Sequence, residues 1–564
     1  MDAEKKKHYL RRLAALEQER QSWEGHWREL AAMFLPRRAR FLNAGDKANQ
    51  GKKSEINLVD STGILAARTL ASGMQSGLTS PARPWFRLTL QDAEAARRGG
   101  AAWLRAVQEV LENAFARSNF YDSAHMLYHE LDVFGTGCML VEEDRETTLR
   151  CRALTVGEYC LDTNAAGRVD TLYRRVLMTA RQMLEAWPDT CPQRIKDMAD
   201  KDNGDRLDVL HLIEPNPDHN EERRSGKSRP FVSVYMLMSG QREILEESGY
   251  YEFPVLAPRW DVTGDDVYGK SPAMDALGDV KMLQRMRKDG LESLAKEVNP
   301  PLLAPSTLRD QALNATPGSI NYVSPLAQGQ QAISPLYQVR ANLQSLEATI
   351  ASTQRQIREA MFNDLFLMIT NVDRQMTARE VAERNAEKML LIGPVLDRLH
   401  SELFQPLVVR VFGIAVRQGL IPVPPPELQG GEMKIEFVSI LTQAQKAAGV
   451  SSVQQVISFA GGAAQMNPAV LDKLDLDEAV DQVADMLGVP NIIRPDEAVA
   501  EIRAQREQQA QAAQQMEMLK AGVGLAGGTA KAAKDAGINL GNGENEASFS
   551  AMPRQDASPS GEQA

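Results

Sequence analysis

The sequence predicts an α+β chain, mainly α, divided into several domains. Three observations carry this. At both ends of the chain, apolar residues recur every three or four positions over long stretches, as amphipathic helices require. Between Gly137 and Asp261 the period shortens to two, in runs separated by turn residues. At about 150 residues per domain, 564 residues set an expectation of three to four domains.

The elements follow in order. Leu10, Leu13, Leu16, Trp23, Trp27, Leu30 and Phe34 lie at helical spacing, so the first 35 residues form a helix that Pro36 ends. A basic loop with Arg37, Arg38 and Arg40 follows. A second helix, about 57–78, is rich in small residues that allow close approach, and SPARPWF breaks it. Two more helical stretches span roughly 92–134. CMLVEED, TLRCRAL, RVDTLYRRVLMT, RLDVLHLIE, FVSVYMLMS and FPVLAPRWDV read as strands. They follow one another with one short helix between, opened by a Thr179–Gln182 capping box, so the sheet should be antiparallel. Ser271 and Pro272 then open a helix to about Val298, where NPP ends it. A Pro- and Gly-punctuated excursion, 299–337, separates it from a helix over about 338–362. After a break at 363–376, Thr377 and Glu380 cap a long helix to about Gln418, with kinks expected at Gly393-Pro394 and Pro406. KIEFVSIL (434–441) is a strand, Thr442 and Gln445 cap another helix, and helical pieces run to about Lys520. The tail, 521–564, has few large apolar residues and is expected to be disordered.

Composition narrows the function. Hydrophobic residues at 43% and charged residues at 25% argue against a collagen, a disulfide scaffold or a chain disordered throughout. The net charge of −11 argues against a generic nucleic-acid binder, whose footprint is basic. It leaves room for a protein that lets nucleic acid pass without sticking. Cys138, Cys151, Cys160 and Cys191 form no CxxC pair and no zinc-finger spacing, so they read as reduced core thiols. The charged start has no apolar signal segment, and LVVRVFGIAV, which carries Arg410, is too short to span a membrane.

One motif demands a test. Gly264–Ser271 satisfies G-x-x-x-x-G-K-[ST], the loop that cradles nucleotide phosphates on backbone N–H groups. Asp265 and Asp266 inside it would repel a triphosphate, and Pro272 removes an N–H near the helix start. The plainer reading is a loop that leads into a capped helix. His125 and His129 lie four apart on a helix with Glu130 adjacent, but no third metal ligand is evident, so they read as structural. No nucleophile motif is present, and neither a catalytic residue, a metal nor a cofactor is expected. Lys281, Arg285 and Lys288 fall on one face of the helix after Pro272, beside an acidic face and an apolar stripe. Such a helix suits sideways packing in a ring; a salt-bridged solvated face is the simpler alternative.

The order of these pieces resembles the portal, or head-to-tail connector, proteins of tailed bacteriophages, the short-tailed type above all. The resemblance rests on Trp23, Trp27 and Leu30, on DSTG (60–63), LASGMQSGLTSPARPWF (70–86), VYGKSPAMDALGDVKMLQ (267–284) and NPPLL (299–303). It continues through TAREVAERNAE (377–387), LIGPVLDRLHSELFQPL (391–407) and LTQAQK (441–446), and covers roughly 9–460. It implies a multi-domain portal fold: a wing over 1–270, stem helices at 271–298 and 338–362, and a clip at 299–337 between them. A tunnel loop at 363–376, a long kinked wing helix and strand at 377–440, a helical crown at 441–520 and the tail complete it. Gly269, Lys270 and Ser271 would then be structural, at the entry to the first stem helix.

The resemblance also implies a function. Twelve copies would form a ring at one capsid vertex, in the virion after assembly in the host cytoplasm, through which DNA is packaged and ejected. Expected partners are further copies of the chain, double-stranded DNA, the terminase large subunit, the scaffold and major capsid protein, and a tail adaptor, with no membrane. Asn371, Arg374 and Gln375 in the tunnel loop, with Lys281, Arg285 and Lys288 on the stem, are the residues expected to face DNA. The competing readings are a nucleotide hydrolase acting through 264–271 and a minor head or scaffold-interacting protein.

Overall fold

The computed structural model describes residues 2–42, 58–90, 100–201, 204–220, 225–299, 302–303, 334–335, 342–365, 392–425 and 433–437, with shorter pieces between 453 and 509. Residues 1–475 with 486–488 form one unit, and 476–485 with 489–564 form a second. The expectations for 366–391, 438–450 and the tail lie outside the described residues. Leu476–Met486 is helical, and within the second unit Asp477 accepts two hydrogen bonds from Arg503, at 2.7 and 2.8 Å.

Helix α1 (Asp2–Phe34) serves two cores along its length. Tyr9, Leu13 and Leu16 pack on a sheet with Tyr173, Leu210, Leu212, Val234 and Met236. Trp27, Leu30 and Phe34 enter the main core. There they join α2 (Thr62–Leu78), α3 (Ala101–Arg117) and α4 (Phe120–Phe134). Between α2 and α3 the chain forms a strand not anticipated from sequence, β1 (Phe86–Leu90). It pairs antiparallel with β12 (Met433–Phe437), so a segment that reads as a helix break also closes a long-range ladder. Trp85, just before it, is buried against Phe86, Phe115, Phe120, Phe404 and Phe437.

The β-rich block splits into two antiparallel sheets. The smaller has the order β3–β2–β9, from β2 (Cys138–Asp144), β3 (Thr148–Leu154) and β9 (Val255–Leu256). Asn119 closes the edge of β3: its amide donates to the Cys151 carbonyl and accepts from the Cys151 N–H, both at 2.8 Å. An exposed edge would invite pairing with another chain. The larger sheet runs β4–β5–β6–β7–β8 in sequence order: Tyr159–Thr163, Val169–Thr179, Arg206–Pro215, Phe231–Leu237 and Ile244–Tyr250. Alternation fixes its faces. Leu210, Leu212, Val234 and Met236 meet α1, while Val209 and Leu237 meet α5 (Ala180–Ala186) and α6 (Gln193–Asp200). The Thr179–Gln182 capping box that opens α5 is present.

Two helices and a closed neck follow. Helix α7 spans Pro272–Val298 and α8 spans Leu343–Ala360. Helix α8 begins later than sequence reading placed it, because the Asn342 side chain caps it by accepting from Ser345 N–H at 3.1 Å. Between the two, β10 (Leu302–Leu303) pairs antiparallel with β11 (Ser334–Pro335). Helix α9, Ile392–Arg417, is apolar and long enough to cross a membrane by length and composition alone. Its apolar side is spent on the core, where Leu407, Val408, Val411, Ile414 and Ala415 are buried. Near Pro406 it widens into a π turn at His400–Phe404. A proline cannot donate to the carbonyl four residues back and crowds it, which accounts for the wider turn there.

Candidate functional site: the long helix pair

The loop that satisfies the nucleotide-binding pattern is folded back on the body of the molecule. Gly269 N–H donates to the Thr136 hydroxyl at 2.8 Å, and Lys270 N–H donates to the Asp261 carbonyl at 2.7 Å. The Ser271 hydroxyl accepts from Met274 N–H at 3.0 Å as an N-cap and donates to the Val133 carbonyl at 2.7 Å. Lys270 itself points outward to Asp275 at 2.5 Å. Gly269 lies against Gly135, whose φ of 78° puts it in the left-handed region, and a Cβ on either would strike the backbone of the other. The N–H groups of Gly269 and Lys270, and that of Asp266, which donates to the Thr263 carbonyl at 3.2 Å, are committed to the protein and not free for a phosphate.

That loop also brings two motifs together. Tyr268 packs edge-on to Trp27 at 5.0 Å and near Trp23 at 5.9 Å, and its hydroxyl accepts from Leu161 N–H at 3.2 Å. The entry to α7 is thus held by α1, by α4 and by the larger sheet at once.

Helices α7 and α8 pack side by side. A Cβ on Gly290 would meet the Leu346 side chain at 2.8 Å, so glycine permits the close approach there. Of the residues expected to face DNA, the structure describes three. Lys281 is paired with Glu29 of α1 at 2.6 Å, and that hydrogen bond holds the Glu29 carboxyl below its usual range. Arg285 pairs with Asp289 at 2.8 Å, one turn on, and the pairing raises the guanidinium further. Lys288 is exposed on the same face. Asn371, Arg374 and Gln375 lie outside the described residues.

Two partners of this helix were not singled out from sequence: Glu29, and Asp60 of the DSTG segment, which pairs with Arg287 at 3.2 Å. Spacing cannot reveal either, because each lies more than 200 residues from its partner. His125 and His129 stack edge-on at 5.1 Å. Burial, then the charges of Arg38, His125 and Arg68, pushes His129 down to about 3. Among the described residues no group of three or more His, Cys, Asp or Glu is placed to hold a metal.

Residues 6–494 match the family described as bacteriophage head to tail connecting protein. The chain belongs to that family. This connector is 41% identical to the portal protein of Salmonella phage epsilon15 over 520 residues, covering 91% of this chain and 93% of the relative. It is 40% identical to a probable portal protein of Bordetella phage BPP-1, covering 92% and 94%. Among solved structures, it matches a chain from the neck of an empty GTA particle computed with C6 symmetry, with 14% identity and a TM-score of 0.32. That match covers 72% of this connector and 86% of the other chain.

Proposed function

We propose that this connector is a portal subunit, and that copies of it form a ring at one capsid vertex through which double-stranded DNA is packaged and later ejected. The observation that carries the reading is 41% identity to a portal protein over 91% of the chain. Helices α7 and α8 line the passage as the stem, with the lysine and arginine face of α7 turned to DNA. The excursion closed by β10 and β11 is the clip, where the terminase large subunit docks during packaging and a tail adaptor afterwards. The remaining body, as the wing, meets the scaffold and major capsid protein. Assembly takes place in the host cytoplasm and the product is part of the virion.

The ring is a dodecamer, and its chemistry is passive: the hydrolysis that drives DNA belongs to the docked motor. Twelve copies at −11 each bring about −132 formal charges, so phosphates are repelled more than gripped. Pairing of Lys281 and Arg285 with carboxylates supports the same picture, since it leaves little free positive charge to hold a phosphate. Negative-stain images of the purified chain test the proposal. Rings with a central hole are expected, and a preparation that stayed monomeric with scaffold and capsid protein present would overturn it.

A further inference from the structure

We infer that Asp60 is a positioning residue for the α7–α8 pair, with one carboxylate oxygen serving the body and the other serving the pair. Oδ1 accepts from Thr62 N–H, the first of α2, at 2.8 Å, just ahead of the N-cap position at Ser61. Oδ2 accepts from Arg287 Nε of α7 at 3.2 Å and from Gln354 Nε2 of α8 at 2.9 Å. The backbone of the same residue is held as well. Gln284 of α7 accepts from Val59 N–H at 2.8 Å and Asp60 N–H at 3.0 Å, and donates to the Asp60 carbonyl at 2.6 Å.

The arrangement is more than the turn into a helix requires. Such a turn needs one side-chain oxygen, and a neutral Asn supplies it as well as a carboxylate does. Here the side chain is only 7% exposed, so its charge is costly. Burial pushes the Asp60 carboxyl up, but the hydrogen bonds from Thr62, Gln354 and Arg287 outweigh it and hold the group below the usual carboxylate range. The charge is kept because two donors from two helices converge on it. Gly290 lies opposite Leu346 while Arg287 and Gln354 meet at Asp60, so α7 and α8 run in opposite directions and are gathered at one point. Beyond Arg287, α7 is exposed along 288–298 save for Gly290 and Ser293, which are half-buried. The direction in which the two helices leave the body is therefore set at Asp60.

The test uses Asp60→Asn, which has the same shape. Its Oδ1 still accepts from Thr62 N–H, while its amide nitrogen faces two donors. Hydrogen exchange on the full-length chain should quicken by about ten- to a hundredfold at amides of 343–354 and 284–298, with 62–78 unchanged. Adding Gln354→Glu should restore protection, because the new carboxylate accepts from the amide introduced at position 60 and pairs with Arg287. Should Asp60→Asn fail to fold, Gln354→Leu removes the α8 tie alone and should quicken 343–354 only. Unchanged exchange in the pair, equal quickening of α2, or no rescue by Gln354→Glu would overturn the assignment. The clasp lies within one subunit, so its failure would leave the ring proposal standing, and the reverse.

Discussion

At the scale of single residues, the turn into α7 separates shape from charge. Gly269→Ala forces a Cβ into the Gly135 backbone and should cost about 2–3 kcal/mol, read as a lower urea midpoint. Lys270→Ala removes only a surface pair with Asp275 and should change stability by less than about 0.5 kcal/mol. A nucleotide loop would show the opposite order of importance, with the lysine indispensable to binding. His211 offers a second residue-scale test. It is fully buried, accepts from Arg174 Nε at 3.0 Å through Nδ1, lies 3.2 Å from the Ser233 hydroxyl through Nε2, and stacks on Tyr235 at 3.9 Å. Burial, and then the charges of Arg174 and Arg152, hold it well below the usual histidine value. The unfolded chain therefore binds a proton near pH 6.5 that the folded chain refuses, and stability falls as pH drops below that point. Glu130, buried, and Glu158, half-buried, are raised by desolvation and act with the opposite sign, losing stability as pH rises above the usual carboxylate range. Comparing wild type with His211→Gln cancels those carboxylates. The variant should show a shallower loss between about pH 6.5 and 5 in thermal melts; parallel curves would defeat this.

At the scale of elements, α9 shows how one helix is fixed to a sheet. Arg410, only 1% exposed, donates to Glu252 at 2.6 Å and lies 5.2 Å over the Tyr250 ring. Arg417 donates to the same carboxylate at 2.7 Å, and Gly413 between them leaves room for it. Glu252→Ala would strand a buried guanidinium and should cost about 3 kcal/mol by denaturant titration. Much at this scale was legible in the sequence. The caps at Ser271 and Thr179, the proline stops and the period-two runs pointed to α7, α5 and most strands, because each depends on neighbours in the chain. The elements missed have another origin. Strand β8, with Glu246 and Glu247 at its centre, and the five-residue β4 carry weak patterns and are made strands by the partners they pair with. Strand β1 needs β12, more than 300 residues away. The candidate site divides in the same way. The basic face of α7 could be read from spacing, whereas its carboxylate partners Glu29 and Asp60 come from other elements and carry no local signal.

At the scale of the whole molecule, the proposal concerns an assembly, and two measurements address it. Truncation after Lys520 should leave ring formation intact, since residues 521–564 hold few large apolar groups to bury. A truncated chain that stayed monomeric where full-length chain forms rings would refute this. Arg374→Ala should leave heads assembling but lower the proportion that retain DNA, counted as filled against empty particles; equal filling would show that Arg374 has no such role. The closed neck between α7 and α8 has a further consequence. Leu303 and Ser334 are hydrogen-bonded neighbours, so the segment 304–333 leaves and re-enters at one place. Closing a longer loop across a fixed gap costs only about 0.6 kcal/mol per doubling of its length. The segment is therefore a cassette: a protein engineer can trade it for one of another length while the helices on either side keep their register.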